Sequence, residues 1–125
     1  MKKTIISIII VFIIVFAGAT YENDFVKRQF VELNITFTAL YEKIDEQSAN
    51  SQDVLAVQKN WFDKKRYLHA FIPHGEIKEI DLWIAEAITL VRDKKWEDAL
   101  SKVKVLIVLA EQIPHSFSIS WENIL

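Results

Sequence analysis

Cysteine is absent from the 125-residue chain. That absence excludes disulfide frameworks, thiolate zinc sites, cysteine nucleophiles, redox pairs and the lipidated cysteine of a bacterial lipoprotein. Glycine and proline are scarce, two of each, against a usual combined share of about 12%. The turn chemistry that many short strands need is therefore missing, which counts against sandwiches and barrels. The same scarcity leaves no phosphate-cradling loop, and no serine sits in a G-x-S-x-G elbow. An excess of basic charge is lacking as well. Net charge is −2, and because Lys2 and Lys3 precede the first apolar run, 13 of the 15 basic residues face 17 acidic ones after it, a balance of −4. An acidic body disfavours nucleic acid as a partner. Hydrophobic residues are plentiful, 51% of the chain, and a chain of this length holds one compact domain at most. The fold class expected is all-α.

The longest apolar run comes first. After Met1-Lys2-Lys3 no charge occurs from Thr4 to Tyr21, and Glu22 and Asp24 end the stretch. Two readings fit residues 1–21. A charged start, the apolar run Ile5 to Phe16 and the small residues Ala17-Gly18-Ala19 describe a cleavable signal peptide with an A-x-A site, giving a protein secreted after cleavage near Ala19. Thr4 to Tyr21 also covers 18 residues, within the roughly 17 to 25 that span a hydrocarbon core, with Tyr21 placed for the interface. The span length favours a retained transmembrane helix. In both readings the lysines hold the N-terminus in the cytoplasm and residues 22–125 lie outside.

Helical periodicity governs the rest. Val26, Phe30, Leu33, Phe37, Leu40 and Ile44 step by 4, 3, 4, 3 and 4, which puts all six on one stripe. The sequon Asn34-Ile35-Thr36 falls within that helix and reads as a coincidence of a short pattern. The polar stretch Ser48 to Asp53 predicts a turn, with Ser51 or Asp53 accepting from the amides that open a second helix, about Gln52 to Phe71. This helix offers Val54, Leu55, Val57, Trp61, Phe62, Leu68 and Phe71 as apolar residues. Its basic patch, Lys59, Lys64, Lys65 and Arg66, reads as a solvated face that could also meet anionic head groups. Ile72-Pro73-His74-Gly75 breaks the chain, with Gly75 admitting a sharp change of direction. A third helix from about Glu76 to Arg92 carries Ile77, Ile80, Ile84, Ala87, Ile88 and Val91 on one face, with Trp83 flanking it. After Asp93-Lys94-Lys95 a fourth helix carries Trp96, Ala99, Leu100, Val103, Leu106, Ile107, Ala110 and Ile113 and stops at Pro114.

These segments predict an up-and-down antiparallel bundle of about four helices over residues 22–113. Phe30, Leu33, Phe37, Ile80, Ile84, Leu100, Val103 and Leu106 are its expected core. Residues 114–125 read as an extended tail, whose Phe117, Ile119, Trp121, Ile124 and Leu125 carry much apolar surface. The tail lies along its own bundle or docks on a membrane neighbour, with Trp121, Ile124 and Leu125 as the candidate partner contacts.

The segment Phe71-Ile72-Pro73-His74-Gly75-Glu76-Ile77-Lys78-Glu79-Ile80 resembles the F-I-D-H-x-E-I-x-x-I segment of a small bacterial family, the domain of unknown function 4363, found mainly in Firmicutes. The N-terminal Lys-Lys and apolar run, the aromatic-basic stretch Asn60 to Leu68, Asp93 to Leu100 and the final Asn123-Ile124-Leu125 resemble it in the same order. The likeness covers nearly the whole chain and is most specific over residues 60–125. Pro73 stands where the family usually has Asp, and Gly75 where it often has an acidic residue. The resemblance implies a single-pass or signal-bearing protein of the bacterial envelope with no established activity, from a family whose members tend to be encoded beside other small membrane proteins.

Titratable groups concentrate near one break, at His74, Glu76 and Glu79, with His69 upstream. The His-x-Glu core of zinc deaminases occurs there without the Pro-Cys-x-x-Cys it requires. His69, His74 and His115 lack H-E-x-x-H or any other metal-ligand spacing. The expected role of His74 is therefore local: it lies at or beside a helix N-cap, its side chain or backbone closing the turn, while Glu76 and Glu79 answer the helix dipole. No catalytic residue, metal or cofactor is expected. The functional expectation is a membrane-anchored, extracytoplasmic accessory protein of the cell envelope, partnered by the membrane and by another small membrane protein, and not an enzyme. The alternative is a ligand- or metal-sensing helical module with a site near His74 and Glu76.

Overall fold

All six residues of the first stripe, Val26 to Ile44, are 0–3% exposed, on a helix α1 that spans Lys2–Asp45. The computed structural model describes the backbone of residues 2–124, and the side chains of all of these except Ala19, Glu22, Asn23 and residues 117–124. Among the described residues there are four helices and no strand: α1 is followed by α2 (Ser51–Leu68), α3 (His74–Arg92) and α4 (Trp96–Ile124). In the order α1, α2, α3, α4 each helix packs on the next, and α4 returns to α1 in the most extensive of these contacts. Lys43 reaches Asp53 while Lys64 reaches Glu32, so α1 and α2 run in opposite directions. The two further reversals make α4 antiparallel to α1, the expected up-and-down arrangement.

The core draws on every helix. Phe30, Leu33 and Phe37 meet Trp61, Ile80, Ile84, Val103 and Leu106, all fully buried. Of the expected core only Leu100 is half-buried, at the margin of its stripe. Leu55 and Phe62 are exposed. They sit one residue from Val54 and Trp61, and about 100° per residue turns them off the buried face.

How the helices end explains the differences from expectation. Asn50, not Ser51, caps α2: its side chain accepts from the Asp53 amide at 3.0 Å, and the Asp53 carboxylate accepts from the Asn50 amide at 2.9 Å. This reciprocal box satisfies two otherwise free donors. The Asn50 amide, and after it the ammonium of Lys43, hold the Asp53 carboxyl below its ordinary value of 3.8. A depressed carboxyl stabilises the fold above that value, and the contribution is lost as pH falls through the folded pKa. α1 and α3 stop through left-handed residues that are not glycine, Gln47 (φ 57°) and Lys94 (φ 56°). In each case the next amide returns to the helix, Ser48 to the Lys43 carbonyl and Lys95 to the Leu90 carbonyl, both at 2.9 Å, which forms a Schellman motif. Gly75 is helical and has nothing within 4 Å of an added Cβ. The reversal before α3 thus does not use its freedom; Pro73 carries it.

The extended tail is corrected. α4 continues through Pro114 to Ile124, although the Pro114 nitrogen has no proton to donate to the Ala110 carbonyl and its ring crowds that carbonyl. Ile113, one residue earlier, is buried in the core, so packing holds the helix where the proline weakens it. The burial of Trp121, Ile124 and Leu125, and with it the packing of the tail, lies outside the described residues.

Twenty-four residues of α1 precede Val26 and extend about 36 Å along its axis. Eleven large apolar side chains between Ile5 and Phe16 are 50–71% exposed along this projection. Among the described residues no helix is long and apolar enough to cross a membrane.

Truncating the seam between α1 and α4 tests this packing. In detergent micelles Leu33→Ala and Leu106→Ala should each lower unfolding stability by about 2–5 kcal/mol, whereas Ser101→Ala on the exposed face of α4 should leave the denaturant midpoint nearly unchanged.

Candidate interaction site at the turn between α2 and α3

The α2–α3 turn spans residues 69–73. The chain leaves α2 as the Phe71 and Ile72 amides both donate to the Leu68 carbonyl at 2.9 Å, and Ile72 folds back into the core. Proline fixes its own φ near −65° and keeps its predecessor out of helical geometry. Pro73 is the N-cap of α3, with φ −54° and ψ 141°, and no side chain caps that helix. Its carbonyl accepts from the Glu76 amide at 3.1 Å and from the Ile77 amide at 3.3 Å.

His74 therefore does not cap the helix through its side chain; it is the exposed first residue of α3. Its imidazole lies edge-on to that of His69, ring centroids 5.9 Å apart at 68°. Glu76 is half-buried in the first turn of α3, where the dipole favours its charge, and Glu79 is exposed beyond that turn. Among the described residues no three His, Asp or Glu side chains converge in a geometry able to hold a metal ion.

What the turn does assemble is aromatic. Tyr21 and Phe25 of α1 meet Tyr67 of α2 and Ala70 and Phe71 of the turn around an open groove of about 370 Å³. The Phe25 and Phe71 rings pack edge to face with centroids 6.4 Å apart. Tyr21 and Tyr67 are each about two-thirds exposed. The wall of the groove is thus largely hydrocarbon, with two phenols as its outward polar groups.

A clamp within two helical turns of Tyr67 fixes α2 against α3. The Asp81 carboxylate accepts from the buried Trp61 indole N–H at 2.6 Å and pairs with the Lys65 ammonium at 2.7 Å. Across the other face of α2, the Lys64 ammonium donates to the Gln29 side-chain amide oxygen at 2.8 Å and to the Glu32 carboxylate. The Lys64 hydrogen bond and charge hold the Glu32 carboxyl below its usual range. The basic patch expected to be a solvated face is therefore divided. Lys59 and Arg66 are exposed, but Lys64 and Lys65 are half-buried and tie α2 to both neighbours. The Asn34 amide, the nominal glycosylation acceptor, lies 3.5 Å from both the Ile107 carbonyl and the Glu111 carboxylate on α4.

Asp81 and the aromatic groove were not found from the sequence. Asp81 is 16 and 20 residues from its partners, and the groove unites residues near 21–25 with residues near 67–71. The signal available was local: the second of two tyrosine-to-phenylalanine segments ends at the proline break. A second groove, between α3 and α4, has its lysine committed, with the Lys102 ammonium 3.5 Å from Glu86 and 4.8 Å from the Trp83 ring centre.

Among known families, the model described as Domain of unknown function (DUF4363) matches residues 20–124. No curated protein and no solved structure matches the chain.

Removing the Asp81 acceptor should leave a buried indole N–H unpaired, a loss of about 1–3 kcal/mol. Asp81→Ala is expected to lower unfolding stability by that amount. Asp81→Asn, which keeps an acceptor oxygen, should lower it less; equal losses in denaturant melts of the two variants would contradict the clamp.

Proposed function

We propose, from the premise that the chain belongs to the Domain of unknown function (DUF4363) family, that it is a membrane-tethered, extracytoplasmic helical bundle of the bacterial cell envelope. Its role in this reading is structural or partner-binding, without catalysis of its own. The observation that carries the proposal is the row of eleven large apolar side chains between Ile5 and Phe16, each at least half exposed, on the part of α1 that projects past the bundle. Burying a side chain of this kind is worth roughly 1.5–3 kcal/mol, so a large driving force favours an apolar environment for the projection. Thr4 to Tyr21, with the small residues Ala17 to Ala19 included, covers 18 residues and about 27 Å, close to the roughly 30 Å of a hydrocarbon core. Lys2 and Lys3 set the orientation, N-terminus in the cytoplasm and bundle outside.

The alternative of a ligand- or metal-sensing module needs polar groups converging near His74 and Glu76. His74 is exposed, and among the described residues no three potential metal ligands converge near it, so no observation favours the sensing reading. For the accessory role, the proposed contact with a small membrane neighbour is the C-terminal set Trp121, Ile124 and Leu125.

Fractionation of cells expressing the full chain tests the tether. The protein should stay in the membrane pellet after an alkaline carbonate wash, with its C-terminus digested by protease added outside. A chain in the soluble fraction, or a mature protein beginning at Thr20 and found in the medium, contradicts the anchor; the second result identifies a signal peptide. Co-purification after mild detergent extraction, with and without residues 117–125, tests the contact.

A further inference from the structure

We infer that the groove formed by Tyr21, Phe25, Tyr67, Ala70 and Phe71 is a second membrane contact, through which the α2–α3 turn seats in the head-group layer of the bilayer that holds the N-terminal helix. The inference rests on the tethered reading and adds a docked orientation of the bundle to it.

Three observations carry it. The first is continuity. α1 is a single helix from Lys2 to Asp45, so a bilayer around Thr4 to Tyr21 also fixes the height of the next turns of that helix. Phe25 lies one helical turn beyond Tyr21, about 6 Å along the axis. The head-group region adds about 5–8 Å on each side of the hydrocarbon core. The groove therefore falls within that layer, with Tyr21 belonging to both the projecting helix and the groove wall.

The second observation is chemistry. Tyrosine is enriched at membrane interfaces because its ring seeks the acyl boundary while its hydroxyl stays wet. Tyr21 and Tyr67 are 65% and 64% exposed, flanking a floor of Phe25 and Phe71 rings and the Ala70 methyl. A groove of this kind in water keeps two phenol rings solvated for no structural return. At the interface both halves of each tyrosine are satisfied.

The third is that the turn is built to hold its position. Trp61, Lys65 and Asp81 lock α2 to α3 close above it, Lys64 locks α2 to α1, and Ile72 is buried directly after Phe71. With these contacts in place, the aromatic end of the bundle is presented at a fixed height against the projecting helix. The occupant is a lipid surface, the boundary between head groups and acyl chains.

The absence of cysteine makes single nitroxide labels direct to place. Ile9→Cys, Ala70→Cys and Leu55→Cys are all exposed positions, in the projection, the groove and the opposite end of α2. Each variant of the full chain is labelled, reconstituted into phosphatidylcholine vesicles, and its collision rates with oxygen and with a water-soluble nickel chelate are compared. The labels at positions 9 and 70 should both favour oxygen, with the Ala70→Cys label shallower, while the Leu55→Cys label should favour the chelate. If the Ile9→Cys label favours oxygen but the Ala70→Cys label is as open to the chelate as that of Leu55→Cys, the docked orientation is wrong and the tether stands. If the Ile9→Cys label itself is open to the chelate, the tethered reading falls and the docked orientation with it. Tyr67→Ser should move the Ala70→Cys label toward the chelate without changing the Ile9→Cys label; no movement contradicts a role for that ring at the interface.

Discussion

The seam between α1 and α4 is the contact on which the rest of the structure depends. α1 supplies an apolar stripe with an average step of 3.6 residues, from Val26 to Ile44, and its most extensive partner is the last helix to be made. A bundle closed between its first and last helices needs α2 and α3 to return the chain with correct lengths, and their 18 and 19 residues give it two arms of about 27–29 Å. α1 is far longer because only part of it belongs to that seam. The same backbone that supports the core continues into the exposed apolar projection, so the orientation of the bundle and the direction of the projection are set by one helix.

Polar contacts complete what apolar packing leaves undetermined. Hydrophobic burial is non-directional, and a stripe alone permits small shifts of one helix along another. Asp81 fixes α2 on α3 by accepting from Trp61 and pairing with Lys65. Lys64 fixes α2 on α1, and Lys102 sits between Glu86 and the Trp83 ring on the α3–α4 side. Exposed ion pairs contribute little. The clamp on Asp81 differs because one of its donors is a buried indole whose N–H has no access to water.

The architecture was legible because it is written in local periodicity. Steps of three and four residues in α1, and the apolar faces of α3 and α4, identify the helices and nearly all of their buried residues, and Pro73 marks the central break. Three kinds of information were not local. Left-handed stops at Gln47 and Lys94 carry none of the glycine signal that usually announces them. Pro114 looks like a stop in the sequence, yet Ile113 beside it is buried and α4 runs through the proline. The roles of Lys64, Lys65 and Asp81 depend on partners 16–35 residues away, and no spacing rule connects them. The aromatic groove was hidden for the same reason: Tyr21 with Phe25 and Tyr67 with Phe71 look like separate pairs until the helices are packed. His74, the residue that stood out in the sequence, is the exposed first residue of a helix whose cap is the backbone of Pro73.

The central claim is that the apolar projection and the bundle strut are one unbroken helix. A pulsed electron spin resonance distance between nitroxides on Ile13→Cys and Val31→Cys, in the full chain in phosphatidylcholine vesicles, tests it directly. Both positions are exposed, at 61% and 59%, and they lie 18 residues or five turns apart on the same face, on either side of residues 19–23. A continuous helix predicts a narrow distribution centred near about 27 Å. A broad distribution, or one centred well below that distance, would contradict the claim by showing that the chain bends between the two segments.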